Sequence, residues 1–385
     1  MVNRLPRPKS LSPSERIADG SPSADVAARR SGRTIRSLEA LRGLSIAVVF
    51  LFHTVKCPNM LLLVGMVVTY FFMLSGFALS MTYGRAIDDG SFLYKNFIRR
   101  RILRICPLYY FSLFVFLYVM LPIGWTTVSD SLPAFFMVQS LIPGQNFSGI
   151  AIGWFASALM LFYLLFPAMY RLVFGMSMRK LAVFAAVLTA LSALYTVLIP
   201  ARATNAWLYA FGPARLVDCF AGIVVWRLYL RAAARPAPSL ERRMRGLAAA
   251  LTLGLLAAYA LWMLLCPGKE IFAVCYFLPV GGLIFLCAYS ETLMPRPVGL
   301  VRALAASPVL TALGAISFEI YFLHAVVRCK YRTTLFFRGW ELDLFADLLV
   351  CVALTLLAVL CWRKVSGAVV TAISGIYKKK CATSR

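Results

Sequence analysis

From Leu38 onward the chain alternates long apolar stretches with short polar or basic segments. The stretches cluster near the ~20 residues that a helix needs to cross the hydrocarbon of a bilayer. Ten are legible, at about 38–56, 60–83, 105–121, 151–173, 181–199, 207–229, 247–265, 271–289, 308–327 and 343–362. A further apolar segment, 131–142, is too short to span. It is expected to be re-entrant or interfacial, since irregular backbone at depth must be sheltered by protein. The pattern predicts an all-α polytopic membrane protein, a bundle of about ten transmembrane helices. Residues 1–35 read as a flexible basic cytoplasmic arm rich in Ser and Pro, without the apolar region of a cleavable signal. Residues 36–363 form the membrane domain, and 364–385 a basic cytoplasmic tail. No repeat and no appended soluble domain is visible.

Composition sharpens this picture. Hydrophobic residues make up 61% of the chain and charged residues 14%, and the mean hydropathy is +0.79. Soluble domains run near 45–50% apolar and about 25% charged. A soluble enzyme, a disordered tail protein and a secreted disulfide scaffold are therefore excluded. The net charge of +25 is a matter of placement rather than a nucleic-acid surface. With the N-terminus in the cytoplasm, 31 of the 40 Lys and Arg fall on cytoplasmic segments and seven outside. That asymmetry is the positive-inside rule, and it supports ten spans with both termini cytoplasmic. The outer cluster Arg328, Lys330, Arg332 and Arg338 is the exception. It would meet headgroups or an anionic substrate, or else the last two spans lie elsewhere. Cys219, Cys275, Cys287, Cys351 and Cys361 fall inside apolar runs, with no C-x-x-C and no zinc spacing. They read as small core hydrophobes, and no metal site is expected.

Titratable groups inside spans cost at least ~2.5–3.5 kcal/mol to insert, so each is a functional candidate. These are Glu39, Arg42, His53, Arg215, Asp218, Glu319 and His324. Arg42 and His53 are eleven residues apart, a rise of about 16.5 Å and a rotation of roughly 1100° on a helix. They share one face at different depths, the cation near the cytoplasm and the imidazole toward the far side. Glu39, three residues before Arg42, is placed to orient the guanidinium. One reading is a polar track that holds an anion and then moves a proton. The plain alternative is a snorkelling arginine and a satisfied interfacial histidine. Four arginines in six residues, Arg99, Arg100, Arg101 and Arg104, open the third span as a dense anion site. Taken as a cluster alone, simple positive-inside charge or lipid contact is the plainer account. Arg215 and Asp218 are three apart and would neutralise each other. Glu319 and His324, five apart, would not pair directly and would serve as interhelical polar contacts.

These residues fall into an ordered set of motifs. Arg42-x10-His53 resembles the signature of the acyltransferase-3 family of integral membrane acyltransferases. Phe71-Phe-Met-Leu-Ser-Gly-Phe77 is similar to that family's second-span motif, and Arg100-Arg-Ile-Leu-Arg-Ile-Cys-Pro107 to its arginine loop. Trp154 with Phe162-Tyr-Leu-Leu-Phe-Pro167 resembles a further span. So do Arg215-Leu-Val-Asp-Cys-Phe-Ala-Gly222 and Ile316-Ser-Phe-Glu-Ile-Tyr-Phe-Leu-His324. Any one motif is weak; six in order are specific. Two departures stand out. Leu159 or a neighbour occupies a place where many members carry Glu, which puts a second catalytic acid in question. Asp218 and Glu39 exchange Asp and Glu with charge kept.

The resemblance implies transfer of an acyl group, commonly acetyl, from acyl-CoA to a hydroxyl of a carbohydrate or lipid-linked glycan. Exopolysaccharide, lipopolysaccharide and secreted oligosaccharide are all compatible acceptors. It implies a multi-pass protein of a bacterial inner membrane, with acyl-CoA (acetyl-CoA) as co-substrate, no bound cofactor, and membrane lipids rather than nucleic acid as surroundings. His53 would be the catalytic base, and Arg42, Arg100, Arg101 and Arg104 would hold the acyl-CoA phosphates. Glu39, Ser75, Tyr163, Arg215, Asp218 and His324 would be supporting or substrate-proximal. A covalent route through His53 or Ser75 has no separate support. Read from the spans alone, a transporter or flippase for an anionic glycan or lipid competes, as does a scaffold that binds anionic partners through basic loops. The ordered motifs favour the transferase.

Overall fold

The structure, a computed structural model, describes residues 34–55, 61–124, 126–234, 246, 254, 276–338 and 344–383. The described residues are helical, with no strand among them. Helices α1 (Arg36–Val55), α2 (Leu61–Asp88), α3 (Tyr94–Met120), α4 (Trp154–Gly175), α5 (Met178–Leu198) and α6 (Gly212–Ala234) follow in order. They are succeeded by α7 (Phe277–Leu293), α8 (Gly299–Ala306), α9 (Pro308–Ala315), α10 (Ser317–Arg338) and α11 (Leu344–Thr383). Six helices are long and apolar enough to cross a membrane, seven if the bent pair α9 and α10 counts as one span. The expected span 247–265 lies outside the described residues apart from Gly254. Helix α6 is not among them, because Arg215, Asp218, Arg227 and Arg231 put too many charges along it. Only 11% of the most apolar stretch of α5, and 17% of that within Ala346–Gly367 of α11, is buried within the bundle. Such faces suit lipid and not water.

Several expectations need correction. The arginines at 99–104 do not form a loop, because α3 begins at Tyr94. Arg, Leu and Ile are adequate helix formers, and no Gly or Pro intervenes until Pro107 inside the helix. The ninth span is not one helix: α9 and α10 meet at 71°. Arg328 and its neighbours up to Arg338 continue α10 instead of forming a loop. The last span runs on through the basic tail as one helix of 40 residues. Segment 131–142 folds into short turns whose Gln139 and Ser140 are fully buried. Tyr109 Oη donates to the Ala134 carbonyl at 2.6 Å, and Gln139 Nε2 donates to Tyr109 Oη at 2.9 Å. Of the cysteines, Cys219, Cys287 and Cys351 are buried as expected, Cys361 is exposed, and Cys275 lies outside the described residues.

Two close helix crossings set the geometry. A methyl group at Gly43 of α1 would overlap the Leu310 carbonyl, and one at Gly314 of α9 would overlap the Glu39 carbonyl. Backbones touch there because neither residue has a side chain. Helices α2 and α6 cross in the same way at Gly76 and Gly222. Polar anchors bind the helix ends at one face. The Glu291 carboxylate of α7 accepts from Arg36 N and Ser37 N, both at 2.8 Å, and so caps α1 from a distance. Arg227 of α6 donates to the Val173 and Met176 carbonyls at the end of α4. Tyr170 Oη donates to Asp88 Oδ2 at 2.9 Å, tying α4 to the end of α2. The start of α1, the ends of α2, α4, α6 and α7, and the start of α3 therefore share one face. Arg36, Arg85, Arg99, Arg100, Arg101, Arg104, Arg171, Arg227 and Arg231 all belong to these ends.

Candidate functional site: a cationic cavity and a histidine pair

A cavity of about 440 Å³ opens among α1, α2, α3, α4 and α10. Each helix contributes one stripe at helical spacing. From α2 come Phe71, Ser75, Ala78 and Thr82; from α4, Phe155, Leu159 and Tyr163. Arg101, Arg104 and Ile105 line it from α3, Leu38, Glu39 and Arg42 from α1, and Ser317, Phe318 and Tyr321 from α10. Thr34, Thr82 and Arg101 place its mouth at the basic face, while Phe71, Phe155 and Tyr321 lie one to several turns deeper. The bend between α9 and α10 has a use here. It lets the first turn of α10 face the cavity, where irregular backbone is sheltered.

The cations at the mouth are ordered differently from one another. Arg42 Nη1 lies 3.3 and 3.2 Å from Glu39 Oε1 and Oε2, and Arg42 Nη2 donates to Ser317 Oγ at 3.1 Å. The expected i,i+3 pair is present, and it fixes the guanidinium from two helices. Arg101 lies 5.6 to 5.7 Å from the ring centres of Tyr83, Phe97 and Tyr163, and donates to Tyr83 Oη at 3.1 Å. Its Nε is buried without a hydrogen-bond partner. Among the described residues no carboxylate pairs with Arg101 or Arg104. The mouth thus holds three cations against one carboxylate, an arrangement that attracts a polyanion. Arg100 is exposed and stands over the outer side of Tyr83 at 5.8 Å, not in the cavity lining.

Most of the remaining candidates lie elsewhere. Arg215 and Asp218 form a buried ion pair, as their spacing led us to expect, and Arg215 Nη2 also donates to Thr69 Oγ1 at 3.0 Å. This pair pins α6 to α2 and does not line the cavity. Removing one partner of such a pair costs about 3–5 kcal/mol, because the other charge stays buried alone. Glu319 turns outward to Arg363 Nε at 3.8 Å and does not meet His324. Ser75 lines the cavity, with its hydroxyl returned to the Phe71 carbonyl at 2.8 Å.

His53 is not in the cavity lining. Eleven residues of helix separate it from Arg42, a rise of about 16.5 Å. It lies beside His324 of α10, ring centres 5.3 Å apart and planes tilted by 39°. The His324 ring is in turn 5.9 Å from Phe50 and 6.2 Å from Tyr321, which lines the deep end of the cavity. Tyr321 Oη donates to the Ile152 carbonyl at 2.9 Å. Tyr321 thus stands between the cationic cavity and the two imidazoles. Sequence reasoning missed Tyr83 and Thr69, and it carried Ser317 and Tyr321 only inside the motif Ile316–His324, without a role. Nothing in local spacing marks them, since each works through a helix distant in sequence.

A multi-pass helical bundle with a cationic cavity at one face and paired imidazoles deeper in defines an integral membrane protein with polar groups sheltered inside it. A family model described as an acyltransferase domain matches residues 35–363, and the chain belongs to the acyltransferase-3 family of membrane acyltransferases. No curated protein and no solved structure matches it.

Proposed function

We propose that this membrane acyltransferase moves an acyl group, acetyl in the first place, from acyl-CoA to a hydroxyl of a carbohydrate or lipid-linked glycan. The observation that carries the reading is the cavity mouth, where Arg42, Arg101 and Arg104 from two helices stand against one carboxylate. In this reading the basic face is cytoplasmic, the bundle has ten spans in a bacterial inner membrane, and both termini are cytoplasmic. The cavity mouth takes the phosphates, and Arg100 adds an outer contact. The acyl-pantetheine arm follows the apolar stripe past Phe71, Leu159 and Phe155 toward Tyr321. His53 removes the proton of the acceptor hydroxyl as its oxygen attacks the thioester carbonyl. The carbon–sulfur bond then breaks, and the thiolate recovers that proton from His53. Leu159 gives the cavity an apolar wall, so no second acid is assigned there. Glu39 orients Arg42, and the Arg215–Asp218 pair supports the scaffold.

The test is turnover of acetyl-CoA by the purified protein in lipid, with release of free thiol and mass spectrometry of the glycans. Wild type is expected to release thiol and to add the mass of one acetyl group. His53→Ala is expected to lose about 10² to 10⁴ in rate with an unchanged melting temperature. Movement of glycan across the bilayer without thioester consumption would instead establish a transporter.

A further inference from the structure

The second histidine has an assignable atom-level role that rests on the reading above. His324 is 2% exposed, and its Nδ1 lies 2.9 Å from the Ile320 carbonyl oxygen one turn back. A carbonyl only accepts, so Nδ1 carries the proton. Nε2 of the neutral ring is then a lone pair. That Nε2 is buried and has no hydrogen-bond partner in the folded chain. A buried acceptor left open in this way marks a place where a donor is due. Three rings surround it. Phe50 has no donor, and the hydroxyl of Tyr321 is already given to the Ile152 carbonyl. Of these three rings His53 is the one with an N–H still to give, half-buried and with its ring centre 5.3 Å away. Imidazole nitrogens lie about 1.1 Å from the ring centre, so two that face one another along the line of centres stand about 3 Å apart, a hydrogen-bond length.

We propose that His324 is the positioning residue for His53. Its Nε2 accepts the ring N–H of His53, which leaves the other His53 nitrogen as the lone pair that faces the acceptor hydroxyl. When His53 takes the hydroxyl proton, the resulting imidazolium keeps its second N–H on His324, which stays neutral and bound to Ile320. The proton then passes from His53 to the departing sulfur, and no charge moves onto α10. The backbone carbonyl of Ile320 thus fixes the tautomer of one imidazole, and that imidazole fixes the tautomer of the next.

The test uses the full chain in lipid with acetyl-CoA and isolated cell glycans. In His324→Leu the Nε2 acceptor is gone, and kcat is expected to fall about 10²-fold with KM for acetyl-CoA unchanged. His324→Asn keeps an amide N–H for Ile320 but no acceptor at the Nε2 position, and the same loss is expected should the leucine variant fold poorly. His324→Gln, whose side-chain oxygen reaches that position, is expected to recover most of the rate. Coupling is the decisive readout. The double variant His53→Ala/His324→Leu should be no slower than His53→Ala alone, because the two residues act as one unit. A further multiplicative loss in the double variant, or wild-type kcat in folded His324→Leu, overturns the proposal and leaves the acyltransferase reading standing. Wild-type protein that consumes no thioester overturns both.

Discussion

Arg100 and Arg101 are adjacent in the chain, yet they point 100° apart on α3, and the structure assigns them different work. Arg101 lines the cavity with a buried, unpartnered Nε, while Arg100 is exposed above Tyr83. A charge-assisted hydrogen bond in such a setting is worth about 1.5–3 kcal/mol, against about 0–1 kcal/mol for an exposed ion pair. Arg101→Ala is therefore expected to raise KM for acyl-CoA by about 10 to 10²-fold, and Arg100→Ala by no more than about fivefold. Equal effects in steady-state assays at one ionic strength would return both residues to general surface charge. At this scale the cluster was legible in the sequence, but its division of labour was not. Spacing on one helix says which residues share a face, and only the neighbouring Tyr83, Phe97 and Tyr163 decide which face is the cavity.

Helices meet where side chains are missing. Gly314 of α9 touches the Glu39 carbonyl of α1, one turn before Arg42, so this crossing holds the residue that orients the cation. Adding a methyl group forces the two helices apart, at about 1–3 kcal/mol for overpacking of a tight contact. Gly314→Ala is expected to lower the melting temperature by several degrees and to weaken acyl-CoA binding, since Glu39 and Ser317 both shift. Gly175→Ala, with open space around the added carbon, should do neither. A melting curve for Gly314→Ala that overlays wild type would mean the crossing has slack. The apolar runs foretold Arg36–Val55, Trp154–Gly175 and Met178–Leu198 to within a turn, while Tyr94–Met120 and Leu344–Thr383 extend well beyond the runs that marked them. They did not foretell the bend at Ile316, because two short apolar helices at 71° have the same hydrophobic profile as one straight span.

At the scale of the molecule, the anchors at Glu291, Arg227 and Asp88 gather several helix ends and their arginines at one face. The opposite face is roofed by the turns between α3 and α4, where Asn146 Nδ2 donates to the Ala210 carbonyl at 3.2 Å. If the basic face is cytoplasmic, a cysteine placed at exposed Gln145 should react with an impermeant maleimide applied from outside. Tags at the two chain ends should stay protected until the membrane is opened. The background should carry a replacement of the exposed Cys361. Labelling of one terminus from outside would refute the even number of spans.

The apolar periodicity, the one-sided cations and the rare charges inside spans were properties of the sequence alone. Bilayer insertion obliges backbone groups to pair within helices and prices every buried charge, so composition and spacing suffice to read them. The i,i+3 pairs Glu39–Arg42 and Arg215–Asp218 were equally local, each lying within one helical turn. What only tertiary structure decided is where the two halves of the site stand. Arg42, Arg101 and Arg104 enclose one cavity, and the two histidines, 271 positions apart, meet beyond Tyr321. No spacing rule connects residues on α1 and α10. Their meeting follows from close glycine crossings and a bent span, which depend on atoms that are absent from side chains and not on any pattern they form.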